Sequence, residues 1–381
     1  MPERLKILFA GMVAGDPHQG GATWAVLQYV LGLRELGHEV LLVEPVSGER
    51  LEADPRIAPY FESLGMIEGG AALWDEASGE AVGFSAEQIL AFAADADLMI
   101  NVSGMLRDER LLSPIPVRAF LDLDPGFNQV WQVTGSEMGF DLHTHFLTVG
   151  QRLGEEDCAV PDCGRTWIPT LPPVLLRHWP RAADPPREDA FTTVGHWRSY
   201  GSIEHEGIHY GQRAHSLRRL IDLPRRTRTR IRFLLALGIH PAEERDLAAL
   251  DANGWDRVNP ADVAGDPGRY ANFVRGSKAE LCVAKSGYVD SRSGWLSDRS
   301  ACYLASGRPV VAQDTGFGGS LPVGRGLLAF TSVAGAAEAV DRVEKDYAQH
   351  AASARQLAEE YLDSKLVLSR LIERLAAAPI G

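Results

Sequence analysis

The chain has 381 residues, 45% of them hydrophobic and 23% charged, with a formal net charge of -13 at pH 7. That length exceeds one ordinary core and implies two domains, and the composition is that of a folded globular protein rather than a disordered one. The acidic balance argues against a general nucleic-acid or anionic-membrane surface, while leaving room for a local basic pocket that takes a small anion.

In chain order, Leu5 to Ala10 reads as an apolar strand, Gly11 to Gly21 as a glycine-rich loop, Ala22 to Leu36 as a helix ending at Gly37, and Glu39 to Val43 as a second strand. This is one βαβ unit. Further strands are expected at Asp97 to Val102, Val117 to Leu121 and Phe146 to Val149, with helices at Ser85 to Ala94 and around Phe127 to Gln132. Strands separated by helices imply a parallel, doubly wound sheet. The proline-dense passage from Pro169 to Pro186 holds neither a regular helix nor a central strand, so it reads as a linker.

A second alternation follows. Strands are expected at Phe191 to Val194, Ile231 to Leu237, Arg257 to Val258 and Leu281 to Ala284, and helices at Tyr210 to Asp222, His240 to Asn253 and Asp262 to Arg275. The tail from Val333 to Ala378 has a helical period and the length to pack back across both domains. The expected organisation is therefore a first domain over 1–170, a linker over 171–189, a second domain over 190–350, and a terminal helix over 351–381.

The residues between the last two strands carry most of the chemistry. After Leu281 to Ala284 comes a loop rich in Ser, Gly and charge, then a helix from about Ser297, then a strand from Pro309 ending in Asp314-Thr315-Gly316. Loops at the carboxyl ends of parallel strands form a ligand crevice, and a helix amino terminus presents free N–H groups to phosphate. The place suits a nucleoside diphosphate.

Other clusters read as structural. Cys158 and Cys163, with Cys282 and Cys302, are too few for a disulfide framework and lack the partners of a zinc site; Asp141, His143 and His145 fit a polar strand entry. No metal is expected. No apolar run of 18 residues and no signal-type cleavage pattern occurs, so the expectation is a cytoplasmic protein without an integral membrane segment.

With two Rossmann-like halves, a Gly-rich first loop, a Pro-rich linker, a terminal helix, and Ser306-Gly-Arg-Pro-Val-Val311 followed by Asp314-Thr-Gly316, the chain resembles the GT-B fold of nucleotide-sugar glycosyltransferases. The resemblance covers the architecture of nearly the whole chain, and its motifs lie in residues 11–24 and 281–319. It implies a donor site in the second domain. Many retaining members carry a Glu-x7-Glu pair; registered on Gly307, Gly294 and Cys302 stand at those positions, so the pair is absent.

The donor-site candidates are Lys285, Ser286, Gly294, Trp295, Asp298, Arg299, Asp314, Thr315, Gly316 and His196. Arg299 offers a planar fork to phosphate, Asp298 accepts from ribose hydroxyls, and Lys285 neutralises pyrophosphate. Facing them, Gly20, Gly21 and Ala22 allow close approach, Ser103 closes the acceptor wall, and His18, Asp16 or Asp124 serves as base toward an acceptor hydroxyl. Glu44 stands where a ribose ligand follows a dinucleotide fingerprint, although Gly-x-Gly-x-x-Gly itself is missing.

The function expected is a metal-independent hexosyltransferase using a UDP- or dTDP-sugar as co-substrate, without a cofactor or nucleic-acid partner, and acting on a sugar, lipid or natural-product acceptor. The alternatives are a nucleotide-sugar 2-epimerase of the same fold, or a noncatalytic nucleotide-sugar or glycan-binding protein.

Overall fold

The computed structural model describes residues 4–67, 70–182, 185–228 and 231–378. The first half contains β1 (Lys6–Ala10), β2 (Glu39–Pro45), β3 (Ala71–Trp74), β4 (Ala81–Gly83), β5 (Leu98–Val102), β6 (Val117–Asp122), β7 (His145–Thr148) and β8 (Trp167–Pro169). They form one sheet in the order β4-β3-β2-β1-β5-β6-β7-β8, parallel except for the β3/β4 pair. The apolar runs of β1, β2 and β5 are buried on both faces, as helix-covered parallel strands are.

In the second half, β9 (Glu188–His196), β12 (Arg232–Gly238), β13 (Asp256–Arg257), β14 (Ser277–Cys282), β15 (Val310–Gln313) and β16 (Leu327–Phe330) form an all-parallel sheet in the order β13-β12-β9-β14-β15-β16. A separate hairpin, β10 (Ile203–His205) and β11 (Ile208–Tyr210), turns through Glu206 and Gly207, both at positive φ. The chain reverses direction across each sheet at β1/β5 and at β9/β14, and the crevice beyond the carboxyl ends of strands at such points is where α/β folds bind ligands.

Three expected helices differ. Asp262 to Arg275 is two helices, Pro260–Ala264 and Pro267–Gly276, because Asp266 caps the second through its carboxylate and Pro267 occupies its first turn. Tyr210 to Asp222 shrinks to Arg213–Arg219, its start being consumed by β11, and His240 to Asn253 begins at Glu244. The tail breaks into Val333–Lys345, Tyr347–Leu357, a wide turn at Ala358–Leu362 and Ser364–Ala377.

The last of these helices does cross back. Leu362 and Ser364 bond to the backbone of Val174, and Ser364–Ala377 packs on the first helix, Gly20–Glu35, closely enough that a Cβ on Gly32 would meet Leu368 at 2.5 Å. The proline-dense passage is therefore anchored rather than loose: Val174, Leu175 and Trp179 are fully buried, and one apolar cluster runs from β1 through Trp24 and Trp179 to Tyr270 and Leu304 of the second half.

Candidate active site

A cavity of about 450 Å³ lies between the two halves, lined from the first by His18, Gly21, Ala22 and Arg56, and from the second by His196, Arg213, Tyr270, Lys285, Asp298 and Arg299. His196 ends β9, Lys285 follows β14, and Asp298 and Arg299 open the helix Asp298–Ala305, whose cap Ser297 accepts from the Arg299 N–H at 3.2 Å. Carboxyl ends of strands and one helix amino terminus thus converge on one space.

Arg299 is held from beneath. Its Nε donates to Glu280 Oε1 at 2.7 Å, and Glu280, on β14, is fully buried. Burial disfavours the guanidinium charge, but Glu280 and further acidic neighbours reverse the balance and keep it firmly protonated. Beside it, Arg213 donates Nε to the Val283 carbonyl at 2.9 Å and Nη1 to the His196 carbonyl. Burial first, and the Arg299 charge second, push Arg213 down to about 10, so it remains cationic at neutral pH. Two guanidiniums thus line one wall of the cleft, with Glu280 beneath Arg299 and the Asp298 carboxyl beside it. The cleft walls and Arg213 push the His196 imidazole below its ordinary value, which keeps it neutral there.

The opposite wall depends on Glu44. Its carboxylate accepts from the N–H groups of Val13 at 2.9 Å, Ala14 at 2.8 Å and Gly15 at 2.6 Å, so it is spent on shaping the glycine-rich loop instead of reaching a ribose. That loop delivers His18 into the cleft at φ 68°, packed edge-on against Tyr60, whereas the exposed Asp16 does not line the cavity. Gly20 and Gly21 are also held small by the second half. A Cβ at Gly20 would lie 2.2 Å from the Asp266 carbonyl, and one at Gly21 2.9 Å from the Tyr270 ring, so the second half presses on this helix start.

Several candidates lie off the cavity. Gly294 and Gly316 sit at positive φ with Arg152 packed over them, a Cβ meeting its side chain at 2.7 and 2.5 Å. Thr315 donates to the Trp295 carbonyl at 2.6 Å, Trp295 packs on Tyr288, and Asp314 caps the turn by accepting from the Gly316 N–H at 2.8 Å. These residues knit the halves together around Arg152. Ser286 is fully buried against Gly211, and Ser103 accepts from Asn128 at 3.2 Å outside the lining.

Lys285 and Asp124, expected to serve donor and acceptor separately, are bonded to each other. Lys285 Nζ donates to both Asp124 oxygens, at 3.1 and 2.9 Å, and the hydroxyls of Tyr200 and Tyr288 also donate to that carboxylate. The ammonium lies 4.9, 4.3 and 5.3 Å from the ring centres of Phe127, Tyr200 and Tyr288. Asp124 therefore has no free lone pair directed at an acceptor in this arrangement.

The loop carrying Asp124 is set by Asp122, fully buried and accepting from Asn128, Gln129, Thr148 and the Asp124 N–H. Burial outweighs these four donors and raises its carboxyl to about 6. A raised folded value means stability that is full below the unfolded value near 3.9 and lost as pH rises through about 6. In urea unfolding between pH 4 and 7 the wild type should lose about 3 kcal/mol from this group; Asp122→Asn, though less stable overall, should lack that slope, and an unchanged slope would reject the assignment.

The remaining polar clusters are occupied elsewhere. His143 bonds Asn101 and the Gly139 carbonyl, His145 bonds Thr144, Asp141 pairs with Arg165, and Cys163 bonds the Gln129 carbonyl. Sequence reasoning missed Arg213, Glu280 and Tyr200. A basic residue at a helix start was a readable signal for Arg213; for Glu280, a charge inside an apolar strand was.

No family model matches the chain, and no curated protein does. Solved structures do. An alpha-glucosyltransferase in complex with UDP-glucose and DNA containing an abasic site matches at TM-score 0.63 and 11% identity, over 98% of this chain and 100% of that one. HepE from Anabaena, in complex with UDP, matches at 0.60 and 12%, over 98% and 100%; a glycosyltransferase from Rickettsia africae matches at 0.54 and 12%, over 98% of each chain. These likenesses show the fold, two Rossmann-like domains in the GT-B arrangement.

Proposed function

We propose that this chain transfers a sugar from a nucleoside-diphosphate sugar to an acceptor hydroxyl, with the donor held by the second domain (190–350) and the acceptor by the first (1–170). The observation that carries the reading is the Arg213 and Arg299 pair at the carboxyl ends of the central strands, beside the Asp298–Ala305 amino terminus. A leaving diphosphate gains negative charge as the glycosidic bond breaks, and fixed guanidiniums with helix N–H groups stabilise that charge in the place of a metal ion. UDP is the favoured nucleotide because the alpha-glucosyltransferase and HepE structures carry it.

His18 is the base this geometry favours, since it lines the cleft while Asp124 is committed to Lys285 and Asp16 lies off the lining. The net charge of -13 favours a saccharide, lipid or natural-product acceptor over DNA, although the alpha-glucosyltransferase neighbours were solved with DNA. Among the described residues no helix is long and apolar enough to cross a membrane.

Thermal stability against a panel of nucleotides and nucleotide sugars, with and without EDTA, tests this directly. A ligand at 100 times its Kd adds about 2.7 kcal/mol. A UDP-specific shift that survives EDTA, followed by UDP release only when an acceptor is added, is the expected result. Isomerised donor without acceptor would mark a 2-epimerase instead, and absence of any shift would remove the donor site.

A further inference from the structure

The connection from β7 to β8 runs over the described residues 149–166 and holds no helix, although adjacent parallel strands are usually joined through one. It reaches across to the second half instead. Gly150 pairs with Trp295 as an isolated antiparallel bridge, the Arg152 N–H donates to the Ser293 carbonyl at 3.2 Å, and the Ala159 N–H donates to the Ser291 carbonyl at 2.9 Å. The Ala159 carbonyl accepts from the Tyr210 hydroxyl at 2.8 Å. Irregular backbone of this length must satisfy its polar groups somewhere, and here the opposite half supplies the partners.

The two faces of this seam lie too close for extra side chains. A Cβ at Gly126 or Gly150 of the first half, or at Gly287, Gly294 or Gly316 of the second, would come within 3.1 Å of an atom of the other half. Arg152 fills the space over Gly294 and Gly316 and is tied back to Glu155 and Asp157, and Asp157 also meets Arg292 of the second half at 3.1 Å.

A second seam stands apart from the first. The 149–166 segment leaves β7, whereas the helix Gly20–Glu35 follows β1, and β5 and β6 lie between those strands in the sheet. From that helix Trp24 Nε1 donates to the Pro267 carbonyl at 2.9 Å, and Gln28 Nε2 to Cys302 Sγ at 3.4 Å. Two domains joined by a small interface are expected to move against each other. A hinge, however, turns two bodies about one line of attachment, and two separated seams with a buried linker leave no such line. Nor does access to the cleft require one. Arg56, Ser199, Gly238 and Ala261 on its lining are exposed, so the cavity already opens to solvent.

We propose that residues 149–166 form a strap that holds the two halves in one fixed arrangement, ligand bound or not, and that small molecules enter and leave the cleft through this rim without the halves parting. The inference stands independently of the glycosyltransferase reading.

Hydrogen exchange read at single residues by mass spectrometry tests it on the Arg152 and Ala159 amides, whose acceptors lie in the other half. In the ligand-free wild type both should exchange at least about a hundredfold more slowly than in the unfolded chain. Adding UDP should slow them no more than it slows the amides of β1 and β12. Arg152→Ala, which alters no cleft residue, should quicken both amides together by about tenfold or more while β1 and β12 keep their wild-type rates and so report an intact fold. Exchange near the unfolded rate without ligand would show halves that part freely, and protection gained selectively on adding UDP would show halves that close on the ligand; either result overturns the proposal. So does an Arg152→Ala protein with intact β1 and β12 in which the Arg152 amide quickens alone, because a strap must loosen as one.

Discussion

Arg299→Met is expected to cost about 3–5 kcal/mol of folding stability and to abolish nucleotide binding, while Arg299→Met/Glu280→Met regains most of the stability and none of the binding. The reason lies in how the pair is built. Glu280 is fully buried on β14, its Oε1 takes the Arg299 Nε at 2.7 Å, and its Oε2 has no hydrogen-bond partner. Removing Arg299 leaves that carboxylate in a low-dielectric interior with its one charge partner gone, which is far worse than removing the pair. Replacing both members of a buried ion pair by apolar residues of similar size is often neutral or stabilising.

The two variants separate what the arginine does for the fold from what it does for the ligand. Urea unfolding reports the first and calorimetric titration with UDP the second. Equal stability losses in the single and double variants would mean that Glu280 is not charged in the folded protein. UDP binding that survives in the double variant would show that Arg213 and the helix amino terminus hold the diphosphate alone, and Arg299 would lose its assigned role.

Where burial alone decided an element, the sequence was readable. Ile7 to Ala10, Phe233 to Leu237 and Leu281 to Ala284 are uninterrupted apolar runs, and strands covered on both faces need nothing else. Local chemistry decided the failures, and some of it was visible. Asp266-Pro267 is a cap followed by a first-turn proline, and it splits the helix expected over Asp262 to Arg275. Glu206-Gly207 is a turn, and it makes Tyr210 a strand end rather than a helix start.

The site was half readable for a similar reason. Arg299 and Asp298 stand at a helix start whose position follows from the flanking strands, so their convergence on the cleft could be foreseen. The roles of Gly20, Gly294 and Gly316 could not, because what limits their size is the Asp266 carbonyl and the Arg152 side chain, both distant in sequence. Glu44 illustrates the difference: position after β2 suggested a ligand contact, yet three N–H groups of the preceding loop had a prior claim on its carboxylate.

Lys285→Met should destabilise the protein by about 2–3 kcal/mol, between the values for surface and buried ion pairs, and should change the coupling of the two halves more than their individual folds. Lys285 and Asp124 are 161 positions apart and belong to opposite halves of the chain, with side chains only 12% and 20% exposed. Burial lowers the ammonium's affinity for its proton, and the Asp124 charge works against that. Three aromatic rings around the ammonium add a cation–π contribution. A double-mutant cycle with Asp124→Asn should therefore return a coupling of about 1–3 kcal/mol, measured by urea unfolding at pH 7. A coupling near zero would mean the contact is incidental. UDP titration of Lys285→Met then decides what the lysine does when the donor arrives. Unchanged affinity identifies the pair as a contact that only joins the walls. A loss comparable to that of Arg299→Met would mean that Lys285 leaves Asp124 for the diphosphate, which would free Asp124, two residues beyond the buried Asp122, to accept a proton from the acceptor.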